Sequence, residues 1–151
     1  MDVSRGIDLI RAQNGNHNMR NDILVIDDAN LHLSIASRIA TQAGFATTGA
    51  HSVAEAAKLL RARTFDCITL GEESGVEVLK LLGEMKCRTP IVIISGSEDS
   101  VRQETIRIGN FFDLNLCPPI PKPIDLAVLR GTLSQIATDT QRQKRASAAG
   151  W

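Results

Sequence analysis

Ile23-Leu24-Val25-Ile26-Asp27-Asp28 is the stretch on which the fold turns. Four consecutive apolar residues, three of them β-branched, make a run too short for a helix. They also lack the polar alternation of a half-exposed strand, so the pattern is that of a strand buried on both faces. The run ends in two adjacent carboxylates, which repel each other and need solvent, a cation or a base. A hard-cation site answers that need, because Mg²⁺ favours carboxylate oxygens and retained waters. A helix N-terminus answers it too, because its dipole favours acids. The pair alone does not decide between them.

Downstream, strand and helix patterns alternate. Asn30 to Ala43 has helical spacing, with Leu31, Ile35, Ile39 and Ala43 on one face and Gly44 as the stop. Phe45 to Ala50 reads as a Thr-rich strand. Ser52-Val53-Ala54-Glu55 has the form of a capping box opening a helix through Arg63, with Ala56, Leu59 and Leu60 inward. Asp66 to Leu70 is a third strand, and Gly75 to Met85 a helix with Val76, Leu79 and Leu82 inward. Pro90 leads into a fourth strand, Ile91 to Ile94. Ser97 or Asp99 caps a helix to about Phe111. Leu114 to Cys117 reads as a weak fifth strand, followed by the Pro-rich stretch Pro118 to Pro123, and Asp125 caps a last helix through about Ala137. Short apolar strands joined by helices predict an α/β fold, a doubly wound five-stranded parallel sheet of flavodoxin-like type. In such sheets a site forms beyond the carboxyl ends of the strands, where the strand order reverses. The residues there are Asp27, Asp28, Gly71, Ser95 and Lys122.

The flanks are polar. Met1 to Asn21 reads as a flexible leader, with a short helix around Ile7 to Ala12. Thr138 to Trp151, with the basic cluster Arg142 to Arg145, reads as a frayed tail. The predicted domain is therefore 22–137. At 151 residues the chain supports a single core of its own. Its 17 Lys+Arg balance 17 Asp+Glu, so neither nucleic acid nor an anionic membrane is an expected partner. No apolar run reaches the roughly 18 residues of a spanning helix, and no secretory signal is visible. Cys67, Cys87 and Cys117 lie far apart, with no Cys-x-x-Cys and no histidine nearby. They read as free thiols in a reducing, cytoplasmic compartment rather than a zinc site.

The order Asp27-Asp28, Ser95, Lys122-Pro123 at the ends of the first, fourth and fifth strands resembles the receiver domains of bacterial two-component response regulators, from about Asp22 to Ala137. Ser74-Gly75-Val76-Glu77-Val78-Leu79 resembles the opening of their third helix. The stretch Gly109 to Lys122 resembles receivers with a longer fourth helix, some of which precede cyclic-di-nucleotide phosphodiesterase domains. The resemblance implies that Asp27 and Asp28 help hold Mg²⁺, that Ser95 contacts a phosphoryl group and that Lys122 pairs with it. It also implies a non-enzymatic signalling module. The implied partners are a histidine kinase, a phosphotransfer protein or a downstream signalling protein.

One departure bears on all of this. Family receivers place the phosphoacceptor aspartate directly after the third strand, and here that position is Gly71. Glycine has no nucleophile, so aspartyl-phosphate chemistry cannot occur there. One Mg²⁺ carboxylate goes with it, so Mg²⁺ binding is expected to be weak or absent. From Gly71 to Gly75 the connection is roughly four residues shorter than the family's, about 13–14 Å of extended chain. The break falls between Leu70 and Gly71. It fits a natural pseudo-receiver, an engineered one, or a phosphorylatable receiver whose acceptor loop is missing from the sequence. Glu72 and Glu73 are the nearest substitute acids, read as a solvated loop. Pro119 stands where many receivers carry an aromatic switch residue, which a proline cannot imitate. A strained short connection favours a homodimer, through exchanged elements or through ordinary receiver faces.

Two other classes are weaker. A flavodoxin-like nucleotide or flavin binder needs a phosphate-cradling loop after the first strand. Asp27-Asp28-Ala29-Asn30 would repel phosphate there. A DNA-binding regulator would need a helix-turn-helix, and the residues after Ala137 are too few for one.

Overall fold

A computed structural model describes residues 20–71, 75–95 and 99–148, with backbone alone at 95, 99–102 and 148. The five strands are β1 (Asn21–Ile26), β2 (Phe45–Ala50), β3 (Cys67–Gly71), β4 (Ile91–Ser95) and β5 (Ile120–Pro121). They alternate with α1 (Asn30–Gln42), α2 (Val53–Ala62), α3 (Gly75–Glu84), α4 (Asp99–Phe111) and α5 (Leu126–Ala148). All pairings are parallel, in the order β2-β1-β3-β4-β5. The doubly wound α/β sheet predicted from the alternation is the observed one. The order reverses beside β1, so the carboxyl ends of β1 and β3 meet at the switch point, with Ile26 opposite Leu70 in register.

The continuous apolar run of β1 feeds two cores at once. Ile23 and Val25 point into the layer shared with Ala36, Ile39 and Ala40 of α1 and Leu129 and Leu133 of α5. Leu24 and Ile26 point into the opposite layer, with Ile68 and Leu70 of β3, Ala56 and Leu60 of α2, and Val78, Leu79 and Leu82 of α3. Each such fully buried Leu or Ile contributes about 1.5–3 kcal/mol of transfer free energy, which commits the strand to the centre of the sheet. β3 and α3 pack into the same layer.

The helix boundaries follow side-chain chemistry. Gly44, at φ 97°, ends α1 in the left-handed region that β-carbons disfavour. Ser52 Oγ accepts from Glu55 N at 3.1 Å, and Glu55 Oε1 accepts from His51 N at 2.6 Å, one residue before the expected capping-box partner. Asp125 Oδ1 accepts from Ala127 N and Val128 N at 3.0 and 3.2 Å.

Several expectations are corrected. Leu31 is exposed and Ile35 only half-buried, and the buried stripe of α1 is Ala36, Ile39 and Ala40. Small residues let α1 lie close to β1, and the helix rolls onto them. In α3, Val78 rather than Val76 is buried with Leu79 and Leu82. β1 starts at Asn21, not after it, because the Asn21 side chain is itself buried and donates to Ala137 O at 3.2 Å.

The fifth strand is Ile120–Pro121, not Leu114 to Cys117. Leu116 makes only an isolated bridge to Ile91. The Pro118-Pro119 pair, with no N–H to donate, separates the two pieces of the edge. Pro121 is tolerated because β5 is the edge strand.

The largest correction is α5, which continues past Ala137 to Ala148. Its extension is held by long-range polar bonds: Gln141 Nε2 to Asn21 Oδ1 at 3.1 Å, and Lys144 Nζ to Asp66 Oδ2 at 3.0 Å and to Arg20 O. The leader helix, Glu72, Glu73 and the Ser97 cap lie outside the described residues.

Candidate functional site

Three of the five singled-out positions, Asp27, Gly71 and Lys122, meet at the carboxyl ends of β1, β3 and β5. Asp27 continues β1 by one residue, its N–H bonded to Ala50 O at 3.1 Å. Its side chain turns inward and is buried. Oδ1 accepts from Ala29 N at 2.9 Å, an Asx turn that hands the chain into α1. Oδ2 lies 3.6 Å from Lys122 Nζ. Lys122 follows β5 directly, and its peptide bond to Pro123 is cis. Its ammonium lies 2.8 Å from His32 Nδ1, and His32 Nδ1 is 3.9 Å from the same Asp27 oxygen. With Lys122 donating, the imidazole carries its proton on Nε2.

Gly71, the last residue of β3, is buried against this group. A β-carbon built on it would stand 2.7 Å from Asp27 Oδ2, 2.8 Å from Cγ and 3.2 Å from Oδ1. The Asp27 carboxylate therefore lies on the glycine's open face, in the space a side chain at position 71 would enter. The absent β-carbon makes room for Asp27 to reach Lys122.

The other two candidates are Asp28 and Ser95. Asp28 is exposed and does not share the pocket of Asp27. Ser95 ends β4 opposite Pro121, and only its backbone is described. His32 was missed by the sequence reading. A histidine in the first turn of a surface helix carries no motif, and only the spacing of five residues from Asp27 hinted that it could fold back over the strand end.

The response regulator receiver domain family matches residues 23–133, most of the chain, and the chain belongs to that family. No curated protein matches it. Among solved structures, it is similar to the receiver domain of the Francisella response regulator 1452, at 21% identity and a TM-score of 0.68, covering 80% of this chain and 99% of that one. It is also similar to the signal receiver domain of an HD domain-containing protein from Pseudomonas fluorescens Pf-5, at 18% identity and TM-score 0.70, covering 84% and 93%. A CheY-like receiver domain protein from Methanospirillum hungatei JF-1 gives 15% identity and TM-score 0.69, covering 82% and 98%. Receiver domains are in general signalling modules of two-component systems rather than enzymes.

The family implies Mg²⁺ at this corner, and the residues here do not fit it well. Asp27 is committed to Ala29 N–H and Lys122, Asp28 points to solvent, and Gly71 offers no side-chain oxygen. Among the described residues no group of three or more His, Cys, Asp or Glu side chains could hold a metal ion. Chemically, the arrangement is an internal ion pair with a histidine acceptor. It stores a charge contact and holds the β5–α5 turn against α1.

Proposed function

We propose that this receiver works through protein–protein contacts of its folded surface, without aspartyl phosphorylation. The observation that carries this is the placement of Asp27 over Gly71, with Lys122 already paired to it. Lys122, the residue that the family resemblance assigns to the phosphoryl group, has an internal carboxylate instead. Position 71 supplies no nucleophile, and its open face is filled. Mg²⁺ binding at Asp27 and Asp28 is weak or absent on this reading. Exposed Leu31, beside His32, and Leu126 and Val128, just after the Lys122 turn, give the same end of the molecule apolar surface for a partner. That partner is a histidine kinase, a phosphotransfer protein or a downstream signalling protein. Among the described residues no helix is long and apolar enough to cross a membrane, and a cytoplasmic setting suits the free thiols.

The test is intact-mass analysis of the full chain after incubation with acetyl phosphate and Mg²⁺. The expected spectrum shows no added phosphoryl group. A stable adduct mapped to the peptide spanning residues 66–75 overturns the proposal.

A further inference from the structure

α3 and α4 end side by side at the far end of the molecule from Lys122. Both helices stop on non-glycine residues in the left-handed region, Lys86 at φ 55° and Asp113 at φ 61°. At this end Phe111 is 81% exposed, more than any other large apolar side chain described. A single exposed apolar residue calls for no explanation. This one stands against a receptor of its own kind. Its neighbour Phe112 lies edge-on to it, ring centroids 5.2 Å apart at 84°, and forms one wall of a recess of about 200 Å³. The other walls are Lys86, Cys87, Arg88 and Asp113. A cavity of about 150 Å³ can hold a benzene ring, so the recess has room for a phenyl group. Its lining joins an aromatic residue, Phe112, to two cationic ones, Lys86 and Arg88, residue types that favour an aromatic occupant.

The rim charges point the same way. Arg88 and Asp113 line one recess, yet neither forms an ion pair among the described residues. We infer that the occupant is a second copy of this chain, with Phe111 of each molecule seated in the other's recess. Ring and recess are adjacent, so a two-fold axis passing between them satisfies both contacts at once. The same axis brings Arg88 of each chain to Asp113 of the other. The contact is compact, so the dimer belongs to the weak, transient class. It is independent of the phosphorylation reading, which concerns the opposite end of the sheet.

Sedimentation velocity on the full chain tests it. The wild type is expected to dimerise at high micromolar concentration. Phe111→Asp is expected to weaken the dimer about thirty-fold or more, as for a central aromatic anchor. Its thermal melt should be unchanged, because the ring contributes little to the fold. Arg88→Glu and Asp113→Lys should each weaken the homodimer by opposing like charges, and mixing the two variants should restore it. Lysine is tolerated in the backbone conformation of position 113, as Lys86 shows. A wild type that stays monomeric overturns the inference. So does a Phe111→Asp dimer of wild-type strength, as an element-exchanged dimer would give, or a mixture no more associated than its components.

Discussion

Replacing Gly71 by alanine adds one methyl group to a buried strand, ordinarily a stabilising change. The unfolded chain loses freedom, a gain of about 0.4–1 kcal/mol where the backbone permits the residue. Here the new carbon would stand 2.7 Å from Asp27 Oδ2, closer than real β-carbons approach anything. The Asp27 side chain is too short to swing aside and keep its contacts. It must give up the Ala29 N–H bond, and with it the approach to Lys122. A hydrogen bond to a charged group is worth about 1.5–3 kcal/mol, so the net expectation is a loss of about 1–2 kcal/mol. Urea unfolding should show it as a midpoint lowered by roughly 0.5–1 M at unchanged slope.

The decisive comparison is a double-mutant cycle with Asp27→Ala. Once the carboxylate is gone, Gly71→Ala should be neutral or stabilising, giving a coupling of at least about 1 kcal/mol between the two sites. If Gly71→Ala stabilises the wild-type background, or if the two changes simply add, Asp27 does not occupy that face and the closed-site argument fails. Gly71→Asp carries the same steric cost and adds a like charge against Asp27. It should therefore be less stable than Gly71→Ala and still fail to gain a phosphoryl group from acetyl phosphate, because a point substitution does not restore the shortened connection.

Lys144→Ala should release the last turns of α5, and hydrogen exchange should speed up over residues 139–148 while the sheet amides keep their protection; unchanged exchange there would mean that Lys144, Asp66 and Arg20 do not hold the extension. Burial pushes the Cys67 thiol well above its ordinary 9.0, and burial also raises Cys117. The folded state keeps the Cys67 proton where the unfolded chain has lost it, so this contribution is intact below pH 9.0 and falls as pH rises above it. Cys67→Val should show a shallower alkaline loss of stability than the wild type in urea titrations between neutral and alkaline pH, and equal slopes would refute the assignment.

The parts of this molecule that the sequence made readable are those where one residue's chemistry decides one local outcome. Ile23 to Ile26 had the pattern of a doubly buried strand, Asp125 and Ser52 could cap from where they stand, and the Lys122-Pro123 pair took a recognisable place in the order after Asp27 and Ser95. What stayed hidden depends on pairs of distant residues. The extension of α5 is polar on every side, so no periodicity announces it. It is helical because Gln141 and Lys144 find Asn21, Asp66 and Arg20 more than 70 positions away. β5 moved because two prolines interrupted the edge, and proline position says where pairing stops rather than where it resumes. The functional corner shows the same limit. The sequence offered Gly71 as a position without a nucleophile, but not as the space into which Asp27 turns toward Lys122 and, through Lys122, His32. Those two consequences of one missing side chain are inseparable. On the proposed reading, the residue that ends the family's chemistry also supplies the room for the Asp27–Lys122 ion pair. Reversal therefore requires both the longer connection and an aspartate, and either change alone should leave the protein unphosphorylated.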